Sequence, residues 1–165
     1  MKLRVSVEPY LGCRIVGSDE RGRRLKAADG VSEVPFSARA REGGMEKLYV
    51  VMHRGEVSYI GRAEQSVVGR IRQGMIASYP FRWRRHDKVD LYVCLFDRKG
   101  DIDFGEGVEA ELVYLLRQGT KERPGRWPVD QHEIHFRHRN GVPDPVCMKA
   151  ARYIFRELVN SQWPR

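Results

Sequence analysis

The stretch that most constrains this sequence runs from Lys47 to Ile60. Leu48-Tyr-Val-Val-Met52 and Val57-Ser-Tyr-Ile60 are both β-favouring, and His53-Arg-Gly-Glu56 separates them with Gly55 as the turn residue. Two such runs around a glycine-bearing turn specify a β-hairpin. A loop of His53-Arg54-Gly55 sets Met52 opposite Glu56 and Tyr49 opposite Tyr59, so that both tyrosines share one face of the sheet. A slip of one residue would send one of them to the other face.

Periodicity places further elements around the hairpin. Ser66 is positioned to cap a helix that ends near Met75, with Val67, Val68, Ile71 and Met75 as its apolar stripe. Arg70 lies beside that stripe, and Gly74 one turn further along the same side. Val89 to Phe96 reads as a third, well-buried strand. A second helix is expected from Gly107 to Gln118, with Val108, Leu112, Leu115 and Leu116 on one face and Val113 widening it. On its wheel Glu109 falls inside the apolar arc and Glu111 on the solvent side. An inward carboxylate is costly unless a partner or a metal compensates it, which singles out Glu109 as a residue with chemistry to do. Asp144 to Asn160 forms a last amphipathic helix, with Val146, Ala150, Tyr153, Ile154 and Leu158 toward the core. Upstream, Arg4–Val7 and Gly12–Val16 have strand character, and Arg41-Glu-Gly-Gly44 interrupts both helix and strand. The expected organisation is a β-rich N-terminal extension over 1–44 followed by a domain over 45–165. That domain is expected to be a small α/β (α+β) sandwich with a central, mainly antiparallel three-stranded sheet flanked by helices, plus a C-terminal helix.

Charge narrows the partners. Thirty Lys and Arg against 22 Asp and Glu give a formal charge of +8. Such an excess favours polyanions through counterion release and electrostatic steering. Arg82-Trp-Arg-Arg-His86 interleaves an aromatic with basic residues, so Arg82, Trp83, Arg84 and Arg85 suit phosphate contacts plus stacking on a base. Arg62 and Arg72 are further candidates for the nucleic-acid backbone. The longest apolar run, Leu48 to Met52, is too short to span a membrane, and the N-terminus carries no apolar signal core. Cys13, Cys94 and Cys147 are scattered and odd in number, against a disulfide framework or a structural zinc site and in keeping with a cytoplasmic location.

Four segments in order resemble the GIY-YIG nucleases. Lys47-Leu-Tyr-Val-Val51 and Ser58-Tyr-Ile-Gly-Arg62 are similar to the paired motifs that name the family, the second of them literally. Val68-Gly-Arg-Ile-Arg-Gln73 is similar to its arginine helix, and Val108-Glu-Ala-Glu-Leu-Val113 to its glutamate helix. Gly125-Arg-Trp-Pro128 and Glu133-Ile-His-Phe136 look like a segment that follows the glutamate helix in restriction-enzyme-like and stand-alone members. The resemblance covers Lys47 to Arg117. It implies a DNA endonuclease with Tyr49, Tyr59, Arg70 and Glu109 as catalytic residues and one divalent cation, Mg²⁺ or Mn²⁺, held by Glu109. Arg70 would clamp the scissile phosphate, and the tyrosines would position or deprotonate the attacking water. The sequence departs from the family at Lys47, where the first motif begins with glycine, at Gly74, where members carry histidine or tyrosine, and at Lys121, where members carry asparagine. Gln131, Glu133 and His135 are the nearest polar candidates for accessory roles. These departures motivate a rival expectation, a non-catalytic nucleic-acid-binding protein of the same fold.

Overall fold

A computed structural model of the chain describes residues 3–18, 22–76, 82–99, 102–121, 125, 128–131 and 144–162. Strands β1 (Val5–Ser18) and β2 (Gly22–Lys26) come first, then a short helix α1 (Ala38–Arg41). The hairpin strands β3 (Met45–His53) and β4 (Glu56–Ala63) lead into helix α2 (Val67–Ile76). A 3-10 turn over Arg82–Arg85 precedes β5 (Lys88–Lys99), and helices α3 (Ile102–Gln118) and α4 (Pro145–Gln162) complete the order.

The fold is of the α+β class, but its sheet has five antiparallel strands in the order β2-β1-β5-β3-β4 where three are expected. The reason lies in β5. It is twelve residues long, pairs with β3 along one edge, and offers its other edge to β1. The strands of the N-terminal residues therefore belong to the same sheet as the hairpin. Arg4–Val7 and Gly12–Val16, expected as two strands, are parts of the single strand β1, whose pairing with β5 shifts between Tyr10 and Cys13. Gly12 takes a φ of 66° there, and its N–H donates to Asp90 Oδ1 at 2.7 Å. The irregularity moves side chains between faces: Val5 and Val7 pack on one core, Cys13 and Ile15 on the other.

The hairpin uses the same device. Its turn holds only Arg54 and Gly55, with φ of 51° and 73°, the left-handed pair of a type I′ turn. His53 then faces Glu56, and Met52 faces Val57. Continued unchanged, that register would set Tyr59 opposite Val50, on the opposite face from Tyr49. Ser58 is instead an extra residue, and beyond it Val51 faces Tyr59 and Tyr49 faces Gly61. The bulge corrects the register by one, so both tyrosines reach the same face although the expected direct pairing is absent. The packing follows this reversal: Val57 lies against one core, while Tyr59, two residues on, lies in the other.

One face of the sheet packs Tyr49, Val51, Tyr59, Leu91 and Val93 against Val67, Ile71 and Met75 of α2 and against Trp83. The other packs Leu48, Val50, Ile60, Tyr92 and Cys94 against α3 and α4. Helix α2 starts as the sequence suggests, with Ser66 Oγ accepting from the Gly69 N–H at 3.0 Å. Helix α3 begins at Ile102, ahead of the expected Gly107. Glu111, expected on the solvent side, is only 6% exposed. It follows Gly107 by one helical turn, and Gly107 lies against Cys147 of α4, where an added Cβ would sit 2.7 Å from Sγ. Helix α4 thus covers a face of α3 that an isolated helical wheel assigns to water. On α4 itself, Ala150, Ile154 and Leu158 are buried as expected, joined by Cys147 and Ala151, while Val146 and Tyr153 are exposed. Small residues line this contact because the two helices approach closely. Among the described residues no helix is long and apolar enough to cross a membrane.

Arg54 carries a left-handed backbone that costs an L-residue with a long side chain more than it costs asparagine. Arg54→Asn is expected to stabilise the fold by about 0.5–1 kcal/mol. The measurement is the urea midpoint, which should rise with an unchanged slope.

Candidate active site

The central pair is Tyr49 and Tyr59, diagonal neighbours across the hairpin. Their ring centroids are 5.9 Å apart at an interplanar angle of 41°. Tyr49 is fully buried and Tyr59 is 6% exposed. Gly61 makes this possible. It faces Tyr49 across the strands, and a Cβ there would lie 2.4 Å from both Cζ and Oη of Tyr49. The tyrosine ring lies across the glycine, in space that any other residue would fill.

Arg70 and Glu109 reach the same place from two helices. Arg70, on α2, stands on the tyrosine face, and its charge acts on both phenols and on Glu109. Glu109 comes from α3, which packs on the opposite face but contacts β4, the edge strand. At the edge a side chain can be felt from both sides: Glu109 meets Arg62 on its own side, and its charge acts on Tyr59 and Tyr49 on the other. The four residues singled out in the sequence therefore share one locus. Burial is the main influence on their chemistry. It drives the Tyr49 phenol well above its ordinary range and raises Tyr59 too, with Glu109 adding to the rise and Arg70 opposing it. The adjacent Tyr49 phenol works in the lowering direction at Tyr59. Burial also pushes the Glu109 carboxyl up to about 7, opposed by Arg62 and reinforced by Glu106 and Glu46.

Arg62, expected at the nucleic-acid backbone, is engaged within the chain. Its Nη1 lies 2.9 Å from Glu46 Oε1, its Nη2 3.2 Å from Glu106 Oε1 and its Nε 3.4 Å from Glu109 Oε2. Glu46 and Glu106 are the residues that sequence reasoning missed. Glu46 is buried, also accepts from the Gly105 N–H at 3.3 Å, and leaves no room for a Cβ at Gly105. A signal for it existed, since Glu46 alternates with the inward Leu48 and Val50. Lys47, at the place of the family's first glycine, is buried and donates from Nζ to the carbonyls of Glu42 and Met45 at 2.5 and 2.6 Å. It ties down the chain entering β3.

The basic connector divides. Trp83 is fully buried in the tyrosine-face core, so the expectation that it stacks on a base is corrected. Its indole is worth more in that core than in water. Arg84 is half-buried and donates from Nη1 to the Met75 carbonyl at 2.9 Å, closing the α2 end. Arg72, Arg82 and Arg85 are exposed, with Arg85 Nη2 also 2.9 Å from Asp130 Oδ1. Gln131 is buried, and its Oε1 accepts from the Ile60 N–H at 2.7 Å on the β4 edge. Glu133 and His135 lie outside the described residues.

Two expectations follow. Gly61→Ala should destabilise the protein by roughly 1–3 kcal/mol, because the phenol has nowhere to move. In a Tyr49→Leu background the same change should cost far less, and chemical denaturation of the double-mutant cycle measures the coupling. Glu109 titrates near 7 in the folded chain against 4.5 ordinarily, so the folded state holds its proton longer than the unfolded state. Its contribution is fully present below the ordinary value and is lost as pH rises through about 7. In metal-free buffer, wild-type stability should therefore fall relative to Glu109→Gln as pH rises across this window, measured by urea denaturation at each pH.

Comparison with known proteins returns no match: no family model, no curated protein and no solved structure matches the chain.

Proposed function

We propose that the protein is a divalent-metal-dependent endonuclease that hydrolyses phosphodiester bonds in DNA through a GIY-YIG-type site. The observation that carries this reading is the convergence of Tyr49, Tyr59, Arg70 and Glu109, residues far apart in sequence, at one edge of the sheet. In this reading β5, β3 and β4 are the nuclease-like sheet, and residues 1–44 add β1 and β2 to it.

Each residue has a role that its surroundings support. Arg70 is half-buried beside the phenols, and its planar fork matches a phosphodiester and stays charged at any working pH. Tyr59 is the phenol with some exposure, so it is the one that would orient the attacking water and take its proton. Tyr49 would act through Tyr59, its buried phenol beside the Tyr59 ring favouring phenolate character there. Glu109 would hold the cation. The donors fit a hard ion such as Mg²⁺ or Mn²⁺: a half-buried carboxylate with two more carboxylates nearby favours added positive charge. One protein carboxylate suffices where water and substrate phosphate complete the shell. Among the described residues no group of three or more His, Cys, Asp or Glu is arranged to hold an ion. When bound, the ion would neutralise charge developing on the phosphate and its leaving oxygen. Arg72, Arg82 and Arg85 would meet the neighbouring phosphates.

The second reading, a non-catalytic nucleic-acid binder, draws on the complete burial of Tyr49 and the raised phenols. Supercoiled-plasmid nicking with Mg²⁺ or Mn²⁺ separates the two. Wild type should nick, and Glu109→Ala, Arg70→Ala and Tyr59→Phe should each lose about two or more orders of magnitude in rate. Cleavage that survives both Glu109→Ala and Arg70→Ala would overturn the site. Salt-dependent DNA binding without cleavage by the wild type would establish the second reading.

A further inference from the structure

Among the described residues outside the candidate site, a cluster of polar side chains surrounds Ser58. Ser58 Oγ donates to Asp130 Oδ2 and lies 3.1 Å from His86 Nε2, which is 3.2 Å from the same Asp130 oxygen. Arg85 Nη2 holds the other carboxylate oxygen at 2.9 Å, and the His53 ring stacks on His86 with centroids 3.8 Å apart. A serine, a histidine and an aspartate in contact invite comparison with a hydrolytic triad, but the geometry opposes it. The hydroxyl and the carboxylate meet the same imidazole nitrogen, whereas a relay needs them on opposite nitrogens. Ser58 is also 3% exposed, with no access for a substrate.

The cluster instead accompanies a backbone arrangement. Among the described residues β4 is the last strand of the sheet, and one of its edges has no strand partner there. The Asp130 N–H donates to the Ser58 carbonyl at 2.8 Å, and the Ile60 N–H donates to Gln131 Oε1 at 2.7 Å. A further bond, from the Gln131 N–H to the Pro128 carbonyl at 3.1 Å, closes the turn that presents both residues. The turn thus binds the backbone on either side of Tyr59, and its aspartate binds the side chain of the residue that forms the bulge. An unsatisfied edge carbonyl or N–H in so buried a place would be costly, so the turn and the bulge require one another.

We propose that Asp130 and Gln131 are positioning residues for Tyr59: they clamp Ser58 and Ile60, hold the bulge, and thereby keep the Tyr59 phenol on the Tyr49 face. They touch neither substrate nor cation. The proposal rests on Tyr59 serving the nuclease reaction described above, but the clamp itself is a property of the free protein and is tested without substrate. Protein labelled with ¹³C in its tyrosines is compared as wild type, Asp130→Ala, Gln131→Leu and Gln131→Glu, with the Tyr49 and Tyr59 Cζ resonances assigned through Tyr→Phe variants. Gln131→Leu removes the acceptor of the Ile60 N–H, and Gln131→Glu keeps an acceptor oxygen there. Asp130→Ala and Gln131→Leu are expected to shift the Tyr59 resonance and speed Ile60 amide exchange. The methyl resonances of Ile154 and Leu158, in the other core, should stay in place. In the nicking assay, kcat should fall about a hundredfold with KM for the plasmid unchanged within roughly a factor of two, since misplacement of a reacting group costs rate and not affinity. Gln131→Glu should recover the resonance, the exchange rate and kcat together. A folded Gln131→Leu with Tyr59 and Ile60 as in the wild type would overturn the clamp. Should Asp130→Ala fail to fold, the Gln131 pair decides the question alone. Absence of nicking by the wild type would overturn the nuclease reading, and the resonance and exchange measurements would still decide whether the turn holds Tyr59.

Discussion

The candidate site depends on one extra residue in a strand. Side chains alternate between faces along a strand, so the two-residue turn of Arg54 and Gly55 would by itself place Tyr49 and Tyr59 on opposite sides of the sheet. Ser58, inserted between the pairs Met52–Val57 and Val51–Tyr59, restores a common face. Three other features then become intelligible. Gly61 faces Tyr49 in the shifted register and supplies the space for its ring. Val57 remains on the α3 and α4 side, sealing that core, while Tyr59 enters the other. The turn bearing Asp130 and Gln131 binds the strand at Ser58 and Ile60, where a bulged edge strand is least able to hold itself.

Charge is separated around that strand with similar economy. On the tyrosine face Arg70 stands near the phenols, and at the edge Arg62 gathers Glu46, Glu106 and Glu109. A guanidinium with a carboxylate on each of three nitrogens is held firmly in orientation. That grip explains why Arg62, expected at a nucleic-acid backbone, is a structural cation for the protein itself. Burial is what raises the Glu109 carboxyl most, and Glu106 and Glu46 add to the rise against the opposing pull of Arg62.

Much of this was legible in the sequence, and the parts that were not share a cause. Periodicity found β3, β4, β5, α2 and α4, and an inward carboxylate on a helix pointed to Glu109. What periodicity lacks is knowledge of the neighbouring layer. Glu111 was placed in solvent because nothing local announces that α4 lies over α3. Trp83 reads as a base-stacking residue because a basic aromatic segment serves a surface and a core equally well until its neighbours are known. Glu46 and Lys47 follow the same alternation as Leu48 and Tyr49, yet charged residues at a strand entrance read as exposed. The bulge was hidden for a different reason. Ser58 suits an ordinary strand position, and what makes it extra is a turn some seventy residues later in the chain, carrying Asp130. Non-local hydrogen bonds of this kind leave no local trace in sequence.

The resting state that results is organised but short of ionised oxygen where the proposed chemistry needs it. Burial keeps protons on Tyr49 and Tyr59, and keeps one on Glu109 up to about 7. A proton and a divalent cation compete for the same Glu109 oxygens, so a cation would bind with release of that proton and more strongly as pH rises toward the alkaline side. A phosphodiester at Arg70 would add negative charge beside phenols that already resist ionisation, which makes the cation a condition for the substrate and the substrate's oxygens a condition for the cation. In the proposed reaction, the same burial that holds the four residues together would tie their ionisation to both ligands, and an isolated metal or an isolated DNA would find the site only half complete.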